Sequence, residues 1–71
     1  MNKNKLKAVI VENGDSQRKL AEYLGIALST LNAKINGKDT EFTQAEIALI
    51  KKRYNLNCEK LCEIFFNSKV S

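Results

Sequence analysis

Histidine, proline and tryptophan are all missing from this chain of 71 residues, and cysteine occurs only twice. Without histidine, Cys58 and Cys62 cannot complete a four-ligand zinc site within one chain, and no metal site is expected. Their i, i+4 spacing on a helix gives poor geometry for a disulfide, so they read as two reduced, partly packed thiols. The three glycines, Gly14, Gly25 and Gly37, are scattered and form no phosphate-cradling loop. With no nucleophile and base pair either, neither an enzyme, a small-molecule substrate nor a cofactor is expected. Apolar runs stop at about four residues, far short of a membrane span or a signal-peptide core. That pattern points to a cytoplasmic protein without membrane contact.

What remains is ordinary for a folded protein, with 44% hydrophobic and 28% charged residues. A chain of this length buries only about 60% of its unfolded surface, so every apolar stripe is needed for one common core. Residues 1–71 are therefore expected to form a single domain, with 1–4 and 67–71 frayed. Charge is unevenly placed. Up to Lys38 there are seven basic and three acidic residues, and beyond it five of each, so the whole excess of +4 lies in the first part. Such asymmetry suits a polyanionic partner.

No stretch resembles a strand hairpin, and no repeat or low-complexity segment is visible, so the chain reads as five helices. The first runs from about Asn4 to Glu12 on the stripe Leu6, Val9 and Ile10, and Asn13-Gly14-Asp15 ends it. Lys3, Lys5 and Lys7 form either a solvated face or a phosphate-facing arm. A helix from about Gln17 follows, capped by Ser16 or by Asp15. Thr43 with Glu46 makes a capping box, with Phe42 and Ile47 as its staple, and opens a helix through Ile47, Leu49 and Ile50 to about Tyr54. Lys51, Lys52 and Arg53 suit its solvated C-terminal end. Asn57 caps the last helix, about Cys58 to Phe66, whose Leu61, Cys62 and Phe65 share a core face. Ile64 and Phe66 project elsewhere, as further core or as a dimer contact.

The rest is organised around Ser16 to Lys38. Leu20, Ala21 and Leu24 share one face of a short helix from Gln17 to Leu24. Gly25-Ile26-Ala27 makes a tight turn, and a second short helix, about Leu28 to Ile35, buries Leu31 and Ile35 before Asn36-Gly37 stops it. The face left outside presents Leu28, Ser29, Asn32, Ala33 and Asn36, with no acidic residue. A short, uncharged, weakly polar face fits a major groove without repelling phosphates. Asn makes bidentate bonds to adenine, and Leu28 and Ala33 can meet thymine methyl groups, so A·T pairs are expected beneath it. Gln17, Arg18, Lys34 and Lys38 are donors suited to the flanking backbones. The start of the first of these two helices, at Ser16 and Gln17, offers unpaired N–H groups and the positive end of the dipole to a phosphate.

At this point the chain resembles the phage repressor and Cro type of helix-turn-helix regulator, the XRE family. The resemblance is carried by Gln17, Leu20, Ala21, Leu24, Gly25 and Ile26, then Leu31 and Asn36-Gly37-Lys38. It implies an all-α, compact five-helix repressor-like DNA-binding domain with the helix-turn-helix at helices two and three. It further implies that Gln17 braces a phosphate and that Leu28, Ser29, Asn32 and Ala33 read bases. Double-stranded DNA, a palindromic operator and a homodimer bound to it belong to the same implication. From their own chemistry and place around the base-reading face, Ser16, Gln17, Arg18, Lys34, Asn36 and Lys38 are expected on the DNA backbone. Three positions depart from the family pattern. Ala27 replaces a capping Ser or Thr, Lys34 stands where the residue is often apolar, and Leu28 replaces a polar residue. The function expected is a Cro-like phage or prophage repressor acting by operator occupancy. The alternative is a protein-interaction module, antitoxin-like or anti-repressor, that uses Ile64 to Phe66.

Overall fold

Each of the five expected helices forms in a computed structural model that describes residues 1–38 and 40–66. They are α1 (Lys3–Glu12), α2 (Gln17–Leu24), α3 (Leu28–Asn36), α4 (Gln44–Tyr54) and α5 (Cys58–Phe65). No strand occurs among the described residues. The tail at 67–71 and Asp39 of the polar loop lie outside them.

Leu6, Leu20, Leu31, Ile50 and Ile64, one from each helix, are all 0% exposed and meet in the centre. Burying each such side chain is worth roughly 1.5–3 kcal/mol, so every helix is fixed to the others through one buried aliphatic residue. Val9, Ile10, Ala21, Ile35 and Tyr54 complete this core, and Leu24, Ile26, Phe42, Leu56 and Phe65 pack around its edge. Phe42 meets Phe65 edge to face at 5.6 Å between ring centres, which closes the core between the α3–α4 loop and α5.

The helix ends follow the local chemistry. Ser16 is the cap of α2, its hydroxyl accepting the Lys19 N–H at 3.1 Å. Thr43 and Glu46 bond reciprocally at the start of α4, at 3.1 and 2.9 Å, as the capping box requires. The α2–α3 turn needs Gly25 because the chain enters the left-handed region there, at φ 75°. In that conformation the Ile26 N–H reaches back to the Ala21 carbonyl at 3.0 Å and closes the last turn of α2.

Two expectations about helix faces are corrected. At the N-terminus α1 begins at Lys3. Asn2 caps α1 by accepting the Lys5 N–H at 3.1 Å, and its own N–H donates to the Ile64 carbonyl at 2.7 Å, which pins the N-terminus to α5. On α5, Ile64 is the fully buried residue, whereas Leu61 and Phe65 are half-buried and Cys62 is exposed. The inner face is therefore Leu61, Ile64 and Phe65, and α1 is joined to the helix by the Asn2 bond and by Lys5 and Glu63, 2.9 Å apart. On α4, Ile50 and Tyr54 face the core, one turn apart, which leaves Leu49 on the outer side.

Candidate nucleic-acid interface

The outer face of α3 is built by what its inner face buries. Leu31 and Ile35 are both in the core, Lys34 is buried beside them, and Asn32 and Asn36 on the other side of the helix face solvent. Leu28, Ser29, Asn32 and Asn36 are exposed and Ala33 is half-buried. Leu28, at 37% exposed, is partly covered, so it offers an apolar edge rather than a whole side chain. Ala27 has no side chain with which to cap α3, and no capping hydrogen bond forms there. Asn36 bonds back along its own helix, its Nδ2 donating to the Asn32 carbonyl at 2.9 Å, and its Oδ1 accepts from Lys3 Nζ at 3.5 Å. Among the described residues the side-chain amide of Asn32 has no such bond.

Beside this face, α2 begins with Ser16 and Gln17. The Ser16 hydroxyl takes up the Lys19 N–H, and the N–H groups of Gln17 and Arg18 have no partner within the helix. Gln17 is half-buried, and Ser16, Arg18 and Lys38 are exposed. The structure therefore brings these four residues and the outer side of α3 together in one helix-turn-helix unit.

Lys34 does not belong to that surface, and its expected backbone contact is corrected. It is 8% exposed, its Nζ donates to the Glu41 carbonyl at 3.0 Å, and it lies 3.1 Å from Glu46 Oε1. Lys34 stands at the edge of the buried face, as far around the helix from its centre as exposed Asn32 is on the other side, so its partners on the α3–α4 loop and α4 go with its burial, not the helical angle alone. Burial works against the charge on Glu46, but the Thr43 N–H and the Lys34 ammonium outweigh it and hold the carboxyl below its ordinary range.

A second cluster, which no sequence pattern signals, anchors α2 from the other side. Asp15, just before the cap of α2, accepts two parallel bonds from Arg53 at 2.8 and 2.9 Å and one from the Tyr54 hydroxyl. The Arg53 guanidinium also lies over the Tyr23 ring of α2, 4.8 Å from its centre. Arg53 is thus half-buried and paired, not a solvated end of α4 as expected. The bond from Arg53 is the main cause holding the Asp15 carboxyl well below its usual range, and Asp15 in turn raises Arg53. Burial and the Asp15 carboxylate push the Tyr54 hydroxyl far above its ordinary value. Because the partners are 38 and 39 residues apart, local patterning carries no trace of this cluster.

Cys58 and Cys62 are free and exposed, not partly packed as expected. Among the described residues no three His, Cys, Asp or Glu side chains gather as a metal site, and no helix is long and apolar enough to cross a membrane.

Comparison with known proteins gives one match. A family model described as helix-turn-helix covers residues 6–61, from the first buried leucine of α1 to α5. No curated protein and no solved structure matches the chain.

Proposed function

The chain belongs to the XRE-type helix-turn-helix family and is a DNA-binding transcription regulator; from that premise we propose that it is a Cro-like phage or prophage repressor acting by occupying operator DNA. The observation that carries the docking mode is the outer face of α3, exposed, uncharged and without an acidic residue. In this reading α3 lies in the major groove, with Ser29 and Asn32 bonding base edges and Leu28 and Ala33 meeting thymine methyl groups. Gln17 and Arg18 present the first N–H groups of α2 to one phosphate, and Ser16, Asn36 and Lys38 hold the flanking backbone. Lys34 has no part in the contact, since its ammonium is occupied inside the fold. The chain acts in the cytoplasm as one domain, and two copies meet a palindromic operator, each reading one half-site. Blocking promoter DNA is then sufficient for repression.

The alternative, protein binding through Ile64 to Phe66, loses its first residue, because Ile64 is buried; Phe66 remains, 57% exposed. Selection of preferred duplexes from a random pool, followed by titration at two salt concentrations, decides between them. A regulator enriches one sequence and binds random duplex with a steep salt dependence. Equal, weak binding to every duplex would sink the repressor reading.

A further inference from the structure

The side chain of Lys34 sits where an apolar one would serve the packing. It is buried at the edge of the inner face of α3, beside Leu31, and roughly 160° around the helix from Asn32 and Asn36. A buried ammonium without partners costs several kcal/mol, and the cheapest relief open to a short surface helix is to roll until the charge reaches water. Rolling α3 in that way would turn Asn32 out of any groove it faces. What removes the incentive is Glu46, whose Oε1 lies 3.1 Å from Lys34 Nζ, together with the Glu41 carbonyl at 3.0 Å. Glu46 is itself held still, because the same oxygen accepts the Thr43 N–H at 2.9 Å in the capping box of α4. The rotation of α3 is thereby tied to a rigid helix start rather than to a mobile surface charge.

We infer that Glu46 is a positioning residue for DNA reading, fixing the rotation of α3 by neutralising Lys34 inside the fold. The inference rests on α3 being the reading helix. It treats the pair as conditional: Glu46 is needed only because Lys34 is present. A direct contact of Lys34 with phosphate, or a pair that serves stability alone, would behave differently.

The test uses the full chain, the preferred duplex taken from a random pool and a random-sequence duplex of equal length. Glu46→Gln keeps an oxygen for the Thr43 N–H but removes the counter-charge. It is expected to lower the ratio of preferred to random binding by about tenfold, with random binding and its salt slope unchanged. Adding Lys34→Met in that background restores the ratio, and Lys34→Met alone leaves both ratio and slope as in the wild type. Circular dichroism checks that each variant is helical. If Glu46→Gln alone does not fold, Lys34→Met and the double variant carry the test, and both must discriminate as the wild type does. An unchanged ratio in Glu46→Gln, failure of Lys34→Met to restore it, or a salt slope lowered by about one in Lys34→Met overturns the inference. No preference in the wild type shows instead that reading by α3 is itself wrong, a result distinct from the others.

Discussion

Two side chains on the same unit separate what binds from what discriminates. Asn32 is exposed on the outer face of α3 and carries no charge, whereas Lys38 is exposed just beyond the end of that helix and carries one. Removing an amide that reads a base costs affinity only where the right base stands, and removing a cation that meets a phosphate costs it everywhere. Asn32→Ala is therefore expected to weaken binding to the preferred duplex by about 1–3 kcal/mol with an unchanged salt slope. Lys38→Ala should weaken binding to all duplexes alike and lower the slope by about one. Titrating both variants at several salt concentrations checks the pair, and exchanged patterns would mean that a different face meets the DNA.

At the scale of single elements, α5 separates what patterning reveals from what it does not. A helix was legible there because Asn57 caps it and apolar residues recur, yet the sequence alone favours Leu61, Cys62 and Phe65 as its inner face. Which of two adjacent apolar strips turns inward depends on packing against the other helices, where Ile64 meets the core and its carbonyl accepts the Asn2 N–H, contacts that are distant in the chain. The same limit explains Arg53, which looks like a helix-end cation until Asp15, 38 residues away, meets it. Lys34 is a further case: its spacing to Leu31 and Ile35 puts it at the edge of the buried face, as Asn32 is on the other edge, and its burial goes with partners at Glu41 and Glu46. Ile64→Ala is expected to destabilise the fold by about 2–4 kcal/mol in chemical denaturation, with Phe66→Ala changing it by less than about 0.5 kcal/mol. Equal losses would place Phe66 in the core and undo the assignment of the inner face.

Across the whole molecule, the charge cluster at Asp15 makes stability depend on pH at both extremes. The folded state holds the Asp15 carboxyl well below the ordinary value of about 3.9, so the stability it supplies is complete above that pH and is lost as pH falls toward the folded value. Tyr54 has the opposite sign. Its hydroxyl is raised in the folded state, so the unfolded chain releases that proton first, near pH 10, and stability declines as pH rises beyond it. Between these limits the cluster contributes a plateau. Asp15→Asn removes the carboxylate that Arg53 and Tyr54 share, which is expected to cost about 1–3 kcal/mol at pH 7. The variant and the wild type should then draw together as pH is lowered below about 4, because protonation makes the native carboxyl neutral as well. The alkaline decline should be shallower in the variant, since part of what raises Tyr54 is the missing charge. Denaturation midpoints measured from pH 2 to 11 on both proteins decide the matter. A gap that stays constant across the acid range would show that the shape of the side chain, rather than its charge, joins the start of α2 to α4.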